Sequence, residues 1–456
     1  MYIEQIYTNC LAQASYYIES DGLVAIVDPM RDIEMYLELA KRRNAKIKYV
    51  LNTHFHADFV SGHLDLATKT DAIVVFGPNA LPKYRAFIAE DNECISLGKI
   101  KIQVLHTPGH TIESSCFLAI DENNIPQAIF SGDTLFIGDV GRPDLMSGNL
   151  SKEVLGSMLY DSLNQKIKTL PDSVIVYPGH GAGSACGKNL SKETKSTIGE
   201  QKKYNYALGN MSKGQFIEMV TSDQPPVPAY FFKDAQINIS GYDNLDSVYS
   251  KSLIPLSIEE TKNQIANGAM VLDTRSSLKF AKKIIKGSVN IDLDGQFAVW
   301  AGTLIDIDQP LIIVAEKGRE KEVITRLARI GFENVRGYLK DDISQWSGEV
   351  DSIEVVNISE VDFELVNPCS FLLDVRKLDE VAKEKMKKSY HIPLHELKNR
   401  LNELDNTKTI FVYCVSGYRS MIASSILKRN GFKNVLNIAG GINQVKNEHP
   451  ELLYTI

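Results

Sequence analysis

The sequence predicts a multidomain α/β protein, and three observations support this class. The chain has 456 residues, which at about 150 residues per domain suggests about three domains. In the first half, short apolar segments alternate with glycine-containing turns and helical segments, a pattern typical of layered sheets and helices. In the second half, one pattern of strand, loop and helix occurs twice at a spacing of about 100 residues, so two copies of one domain follow the first.

The composition is that of an ordinary globular protein. Hydrophobic residues make up 44% and charged residues 23% of the chain, which excludes disordered, collagen-like and disulfide-scaffold proteins. The net charge of -7 argues against a basic surface for nucleic acid or membrane. No apolar run reaches the roughly 18 residues of a spanning helix, and the start of the chain lacks signal-peptide features. We therefore expect a cytoplasmic protein with neither a nucleic-acid nor a membrane partner.

The cysteines are scattered along the chain and form no CxxC pair. This distribution favours reduced thiols over a disulfide framework. The cysteines are Cys10, Cys94, Cys116, Cys186, Cys369 and Cys414.

Six apolar segments of the first half are predicted strands, because each is short and ends in a polar or glycine-containing loop. They span residues 24–28, 48–52, 73–76, 100–105, 128–130 and 174–177. Apolar residues at spacings of three and four predict a helix over residues 32–43 that covers one face of a sheet. We place a linker between residues 233 and 252.

Histidines and aspartates follow several of these predicted strands. Because strand ends meet at one edge of a layered sheet, we expect these side chains to converge there. Any single motif is compatible with a hydrogen-bonded loop histidine, whereas four in this order indicate a metal site. The motifs are Thr53-His54-Phe55-His56-Ala57-Asp58-Phe59, Thr107-Pro108-Gly109-His110, Ser131-Gly132-Asp133 and Tyr177-Pro178-Gly179-His180.

The order HxHxD, PGH, GD and PGH resembles the metallo-β-lactamase fold, an αββα sandwich, over residues 1–245. Within that fold it resembles the persulfide dioxygenase branch. Two-metal hydrolases of the fold, such as glyoxalase II, have a histidine directly after the aspartate of HxHxD. This chain has Phe59 there, and an apolar ring cannot bind a metal, so we expect one metal.

The resemblance to the dioxygenase branch implies that His54, His110 and Asp133 are the metal ligands. Two imidazoles and one carboxylate with open positions are typical of non-haem Fe(II) oxygenases, although zinc can occupy the same ligands. We expect one Fe(II) per chain. The other polar residues of the motifs then orient the ligands or handle protons. These residues are His56, Asp58 and His180.

Arg142 follows the Asp133 motif, and the related dioxygenases also have a Gly-Arg pair at this place. An arginine beside the metal is a candidate to bind a carboxylate or phosphate of the substrate. The alternative is an ion pair with Asp139 or Asp144. Residues 181–187 differ from those of the glutathione-using relatives, so the identity of the thiol carrier stays open.

A second candidate site is the loop Cys414-Val415-Ser416-Gly417-Tyr418-Arg419-Ser420, between a predicted strand (410–413) and a predicted helix (421–428). Backbone amides at a helix N-terminus and the nearby Arg419 favour a thiolate, so Cys414 is a candidate nucleophile. Gly417 and Ser420 are expected to contact the substrate. The alternative is a cysteine that only packs in a core.

This CxxGxR loop, together with Asp374-Val375-Arg376 and Gly440-Gly441, resembles a rhodanese over residues 353–456. In that family of sulfurtransferases the loop cysteine accepts a sulfane sulfur as a persulfide and gives it to a nucleophile, and the resemblance gives Cys414 and Arg419 the catalytic roles.

The middle copy, residues 253–348, resembles an inactive rhodanese. A constant offset of 100 residues places Val314 opposite Cys414 and Arg319 opposite Arg419, and residues 187–368 contain no cysteine. Such a domain is either a spacer or a docking surface.

Together the resemblances imply a persulfide dioxygenase fused to an inactive and an active rhodanese. The implied activity is oxidation of a low-molecular-weight thiol persulfide by O2 to sulfite, followed by sulfur transfer to sulfite to give thiosulfate, in sulfide detoxification. We also expect a homo-oligomer. The alternatives are a zinc-dependent thioester hydrolase of the glyoxalase II type fused to rhodanese modules, and a non-catalytic docking platform, which accounts only for the middle copy.

Overall fold

The structure is a computed structural model that describes residues 1–145, 150–224, 226–361 and 370–455. The chain folds as two compact units, Met1–Val248 with Ala328–Gly331, and Tyr249–Leu327 with Phe332–Ile456. None of the helices in the described part of the chain is long and apolar enough to cross a membrane. Cys369 lies outside the described residues.

The first unit contains two six-stranded sheets, ordered β1-β2-β3-β4-β5-β6 and β12-β11-β10-β9-β8-β7. The strands of the first sheet are β1 Tyr2–Thr8, β2 Gln13–Ser20, β3 Leu23–Val27, β4 Lys46–Leu51, β5 Ile73–Phe76 and β6 Phe87–Ile88. Those of the second are β7 Cys94–Leu97, β8 Ile100–His106, β9 Ser115–Ile120, β10 Pro126–Gly132, β11 Ile175–Pro178 and β12 Ser196–Thr197. The helices are α1 Glu34–Arg42, α2 His63–Thr70, α3 Lys152–Ser162, α4 Ile198–Tyr204, α5 Lys213–Thr221 and α6 Tyr230–Ser240, and α7 Leu245–Ser252 begins in this unit and ends in the second.

The core of this unit lies between the two sheets. Ile18 and Val27 of the first sheet share one buried cluster with Phe117 and Phe130 of the second. On the outer faces, α1 and α2 cover the first sheet and α3 and α5 cover the second, each over a separate apolar cluster. This layering confirms the αββα sandwich expected from the sequence.

The strands and the helix predicted for this unit differ from the observed ones only at their ends. The linker predicted between residues 233 and 252 is wrong, because α6 and α7 occupy this segment and Asn238 of α6 donates to the His56 and Phe59 carbonyls. The strand at residues 73–76 agrees with β5, and the helix predicted over residues 32–43 is α1, Glu34–Arg42. Tyr36, Leu39 and Ala40 of α1 are buried against the sheet. The 3.6-residue period therefore predicted the correct face of this helix.

The second unit contains two modules with the same topology. Their strands, in chain order, are β13 Pro255–Leu256, β14 Met270–Asp273, β15 Ile284–Ile285, β16 Val289–Asn290, β17 Leu311–Val314, β18 Val335–Leu339, β19 Val350–Asp351, β20 Glu354–Val356, β21 Ser370–Asp374, β22 Glu384–Met386, β23 Tyr390–His391, β24 Thr409–Tyr413, β25 Val435–Ile438 and β26 Leu453–Thr455. Their helices are α8 Ile258–Ala266, α9 Ser277–Lys282, α10 Phe297–Leu304, α11 Glu320–Ala328, α12 Leu378–Val381, α13 Tyr418–Arg429 and α14 Gly441–Glu448. The parallel sheets β13-β18-β17-β14-β16 and β20-β25-β24-β21-β23 have the same strand order, which confirms the internal repeat.

An aspartate and an arginine make the same contacts in both modules. Asp273 and Arg275 form a buried ion pair of 2.6 Å, and so do Asp374 and Arg376. Each guanidinium also donates to a backbone carbonyl eight residues further along the chain, at 2.9 Å. The repeated Asp-x-Arg motif is therefore structural, because it ties the end of a central strand to the segment that follows.

The strand register shifts the alignment of the two modules by one residue. Asp273 pairs with Val314, whereas the equivalent Asp374 pairs with Tyr413. Val314 is therefore the counterpart of Tyr413, and Ala315 takes the place of Cys414. The constant offset of 100 fails here because the loop of the middle module is one residue shorter. The conclusion that this module lacks a nucleophile is unaffected.

The middle module packs against the helix that follows Cys414. The Tyr418 hydroxyl donates to the backbone carbonyl of Asp292 at 3.1 Å, and the backbone amide of Asn290 donates to the Ser425 hydroxyl at 3.0 Å. Met421 is buried in an apolar cluster with residues of α9. Of the two roles that the sequence left open, this packing favours a docking surface for the last module.

We expect Gly295→Ala to destabilise the second unit. A Cβ at this position would lie 2.2 Å from Cε2 of Tyr418, so the ring must move and the free energy of unfolding should fall by about 1–3 kcal/mol. Urea unfolding followed by tryptophan fluorescence reports on this unit, because both tryptophans of the chain, Trp300 and Trp346, lie in it. In a Tyr418→Ala background, Gly295→Ala should lower the free energy of unfolding by less than about 0.5 kcal/mol. Equal costs in the two backgrounds would contradict the proposed packing.

Candidate metal centre and nucleophile loop

The four histidine and aspartate motifs meet at one end of the sandwich. They occupy the loops after β4, β8, β10 and β11, and their histidines and aspartates are all buried. The ring of His54 lies 4.2 Å from that of His56 and 4.9 Å from that of His110, measured between centroids. His110 Nε2 lies 3.5 Å from Asp133 Oδ2. The convergence inferred from the sequence is thus present in the fold.

His54, His110 and Asp133 form one compact cluster. One potential ligand atom from each residue lies within 4.8 Å of the others. The other nitrogen of each imidazole is already engaged: His54 Nδ1 contacts the Thr53 hydroxyl at 2.9 Å, and His110 Nδ1 donates to the Arg142 carbonyl at 2.8 Å. These bonds fix the orientation of both rings and leave Nε2 available to a metal.

The donor set of this cluster fits a cation. Both carboxylate oxygens of Asp133 are buried, and neither has a hydrogen-bond donor among the described residues. A buried carboxylate without donors is costly, and a bound cation removes that cost. Burial lowers the pKa of His54 well below its ordinary value, and the neighbouring histidines add to this effect. The ring is therefore neutral, which is the form that binds a metal.

Thr53 connects the first histidine to a buried carboxylate. Its hydroxyl donates to Asp28 Oδ2 at 2.8 Å, so it accepts from His54 Nδ1. Asp28 Oδ1 also accepts from the Thr53 amide at 2.8 Å and lies 3.1 Å from His56 Nε2. Burial alone would lower the pKa of His56, but Asp28, Asp58 and Asp133 together outweigh burial and raise it. His56 thus faces Asp28 beside the cluster, and its role in orienting ligands or handling protons stays a prediction.

Asp58 and His180 lie in a different arrangement from the one expected. The sequence placed both as groups that support the three ligands, whereas here they form a second cluster with Cys186. Asp58 Oδ2 is 3.4 Å from His180 Nε2, and burial raises the pKa of both Asp58 and Cys186. Sequence reasoning missed Cys186, because a lone cysteine in a Gly-Ala-Ser stretch has no motif spacing.

The guanidinium of Arg142 contacts neighbouring protein groups, and its predicted contact with the substrate stays a prediction. It donates to both carboxylate oxygens of Asp144, at 2.7 and 2.8 Å, and to the Ala185 carbonyl at 3.3 Å. The ion pair that the sequence left as an alternative is therefore the one observed. Because its own carbonyl accepts from His110, Arg142 also positions a metal ligand.

Cys414 lies directly after β24, and its side chain is buried. The Gly417 amide donates to its Sγ at 3.2 Å, and α13 begins at the next residue. The Ile442 amide at the start of α14 donates to the Cys414 carbonyl at 2.8 Å. A Cβ on Gly441 would lie 2.4 Å from that carbonyl oxygen, which explains the Gly-Gly pair. Two helix N-termini therefore hold this loop.

The other predicted residues of the loop contact the protein. Arg419 donates to both carboxylate oxygens of Glu380, at 2.6 and 2.8 Å. The Ser420 hydroxyl is buried and donates to the Gly417 carbonyl at 3.1 Å. Ser420 therefore stabilises the first turn of α13, and Gly417 presents its amide to the thiol. The predicted contacts of both residues with the substrate stay predictions.

We expect Thr53→Val to weaken metal binding without changing the fold. Valine has nearly the same shape but leaves His54 Nδ1 and Asp28 without their shared partner, so metal affinity should fall by about 10- to 100-fold. Competition with a chelator measures this for Zn2+ and for Fe2+. Thr68→Val is the matched control, because Thr68 is exposed and its hydroxyl donates to the Leu64 carbonyl of its own helix. Equal metal affinities for the two variants would contradict the orienting role of Thr53.

Comparisons with known proteins agree with this architecture. A probable hydroxyacylglutathione hydrolase of Schizosaccharomyces pombe is 31% identical over 202 residues, which cover 44% of this chain and 73% of that protein. The crystal structure of a metallo-beta-lactamase from Staphylococcus aureus subsp. aureus COL is 33% identical, with a TM-score of 0.66 over 74% of this chain and 98% of that chain. The crystal structure of ETHE1 from Myxococcus xanthus is 27% identical, with a TM-score of 0.46 over 53% of this chain and 99% of that chain.

Two family models match the chain in the order in which the folds occur. The metallo-beta-lactamase superfamily matches residues 8–180, which include both clusters apart from Cys186. The rhodanese-like domain matches residues 257–349 and 359–448, the second of which includes the Cys414 loop. The chain belongs to the metallo-beta-lactamase superfamily and has a metal-binding domain of that fold followed by two rhodanese-like domains.

Proposed function

We propose that this chain is a persulfide dioxygenase coupled to a sulfurtransferase. The first domain oxidises the outer sulfur of a low-molecular-weight thiol persulfide with O2, and the last domain transfers a second sulfane sulfur to the resulting sulfite. The observation that carries the proposal is the buried cluster of two imidazoles and one carboxylate, His54, His110 and Asp133. The presence of an amide-held cysteine, Cys414, in the same chain supports the second step.

The donor set favours Fe(II). Two histidines and one carboxylate are typical of non-haem iron oxygenases, in which the bound iron supplies open positions and redox chemistry toward O2. The chain itself supplies two imidazoles whose far nitrogens are held by Thr53 and by the Arg142 carbonyl. It also excludes bulk water, because all three ligands are buried.

The oxidation step balances with one added water. The protonated persulfide, O2 and water give the thiol, sulfite and two protons, and the persulfide anion gives the same products with one proton. The outer sulfur is oxidised and O2 is reduced.

The transfer step uses the Cys414 thiolate. It attacks the outer sulfur of a second persulfide, the S–S bond of the donor breaks, and the free thiol leaves. Sulfite then attacks the outer sulfur on Cys414, the S–S bond to Sγ breaks, and thiosulfate leaves while the electron pair stays on Sγ. The Gly417 amide, 3.2 Å from Sγ, stabilises the thiolate in both half-reactions.

The second candidate is a zinc-dependent thioester hydrolase, because the Schizosaccharomyces pombe relative is named a probable hydroxyacylglutathione hydrolase. Zinc can be held by the same three ligands. Against it stands Phe59, which is buried beside His56 with ring centroids 4.3 Å apart and cannot supply the imidazole that such hydrolases have there. The two candidates differ in metal, substrate and oxygen consumption.

We expect anaerobically reconstituted full-length protein to hold about one iron per chain and to consume oxygen when a thiol persulfide is added. Iron analysis, an oxygen electrode and sulfite detection measure these properties. His110→Ala should lose the iron and the oxygen uptake, whereas His106→Ala should keep both, because His106 is a partly exposed residue at the end of β8. Hydrolysis of a hydroxyacyl thioester with bound zinc, without oxygen uptake on any persulfide, would reject the dioxygenase in favour of the hydrolase.

Cys414→Ser should separate the two reactions. A serine hydroxyl stays protonated at neutral pH and cannot carry a sulfane sulfur as a thiolate does. The variant should therefore consume oxygen at the parent rate but accumulate sulfite in place of thiosulfate. Cys94→Ser, at an exposed thiol, should behave like the parent in both assays. Parent-like thiosulfate formation by Cys414→Ser, after subtraction of the uncatalysed reaction, would remove Cys414 from the mechanism.

A further inference from the structure

The loop between β4 and α2, residues 52–62, contains His54, His56 and Asp58 but no helix or strand. In the described part of the chain, no backbone hydrogen bond joins two residues of this loop. Its amides donate to carbonyls of other segments: Asn52 to Val75, Val60 to Arg329 and Gly62 to Pro29. Because backbone groups that are buried must find partners, the neighbouring elements determine the shape of this loop.

Asn238 of α6 makes three hydrogen bonds to the loop with its side chain. Its Nδ2 donates to the backbone carbonyls of His56 and Phe59, both at 2.8 Å. Its Oδ1 accepts from the backbone amide of Ser61 at 3.0 Å. Both donor hydrogens and the acceptor of the side-chain amide are therefore used, and the three loop residues lie on either side of Asp58 in the sequence.

The fold holds Asn238 itself in place. The residue is 1% exposed and lies on the buried face of α6, together with Phe231 and Ala235. Its backbone carbonyl accepts from the Tyr84 hydroxyl at 2.8 Å. Tyr242, which follows α6, donates its hydroxyl to the Ser61 carbonyl. The end of α6 and the residues after it therefore form a rigid support for the loop.

A buried asparagine that only stabilises the fold is the ordinary alternative, and the second unit contains such a residue. The side chain of Asn290 is buried, and its Nδ2 donates to the backbone carbonyls of Asp273 and Arg275, at 2.9 and 3.0 Å. Asn238 makes the same kind of contact, but the carbonyls that it holds belong to the loop that contains His54. The two asparagines therefore allow a matched comparison.

The loop sets two contacts beside the metal cluster. The ring of His56 lies 4.2 Å from that of His54, measured between centroids. Asp58 Oδ2 lies 3.4 Å from His180 Nε2. Without the Asn238 amide, the buried carbonyls on either side of Asp58 would lose these donors, and such a loss is costly enough to move a loop that has no internal bonds.

We propose that Asn238 is a positioning residue for the cluster of His54, His110 and Asp133. It fixes the loop in the conformation that places His56 beside His54, and it acts through the backbone of the loop. The superfamily model matches residues 8–180, so Asn238 belongs to a part of the chain to which that comparison assigns no role. The inference goes beyond the proposed function, because it depends on metal binding and not on iron, O2 or a persulfide.

Titration of the metal-free, full-length protein with Co2+ tests the proposal, because the visible absorption of bound Co2+ depends on its coordination geometry. Asn238→Asp keeps the acceptor for the Ser61 amide but removes both donors to the carbonyls. Its affinity for Co2+ should fall by about 10- to 100-fold, and the absorption band should change in position or intensity. Asn290→Asp is the matched control and should retain the affinity and the spectrum of the parent, even where it lowers the stability of the second unit.

Asn238→Gln guards against a folding defect in the first variant, because it keeps both donors and displaces them by one methylene. It should fold, as circular dichroism will establish, and show an altered band with an intermediate affinity. A folded Asn238→Asp or Asn238→Gln protein with the affinity and spectrum of the parent would overturn the positioning role, and so would an equal loss of affinity in Asn290→Asp. Absence of oxygen uptake by a parent protein that binds metal as described would reject the proposed function alone.

Discussion

The buried carboxylate of Asp133 is the constraint on which the first domain depends. Asp133 follows β10, whose pairing with β11 has an irregular register between Phe130 and Gly132. Glycines around the carboxylate leave room for the neighbouring side chains. A Cβ on Gly132 would lie 2.5 Å from Oγ1 of Thr53, and one on Gly179 would lie 2.6 Å from Oδ1 of Asp133. The Gly-Asp and Pro-Gly-His motifs therefore reflect close packing around this charge as much as metal chemistry.

Next to this carboxylate, the imidazoles of His54 and His110 are each held by a hydrogen bond to the backbone or to another buried group. His54 depends on Thr53 and Asp28, and His110 depends on the carbonyl of Arg142. Such bonds fix which nitrogen is free, so the cluster is organised before a cation arrives. Arg142 shows how far this organisation extends, because one residue positions His110 with its carbonyl and the Cys186 loop with its amide and guanidinium.

The sequence predicted those features of the fold and the site that depend on short-range patterns. Strand ends followed by histidine and aspartate located all but one of the clustered donors, and the repeat of Asp-x-Arg identified the paired modules. What it missed depends on long-range contacts. Cys186 has no spacing signal because it reaches the site through a loop held by Arg142. The one-residue error at Val314 arose because an offset measured over a whole repeat averages over a shortened loop.

The two modules of the second unit distinguish residues that the fold requires from residues that only the proposed sulfur transfer requires. Both keep the buried Asp-x-Arg ion pair and the strand order, since losing one partner of such a pair leaves an uncompensated buried charge. Only the last has a cysteine after its central strand. The middle copy is under a different constraint: Gly295 leaves room for Tyr418, and the Asp292 carbonyl accepts from the Tyr418 hydroxyl. Since Tyr418 begins the helix whose N-terminus faces Cys414, the middle module helps to fix the geometry around the candidate nucleophile of the last module.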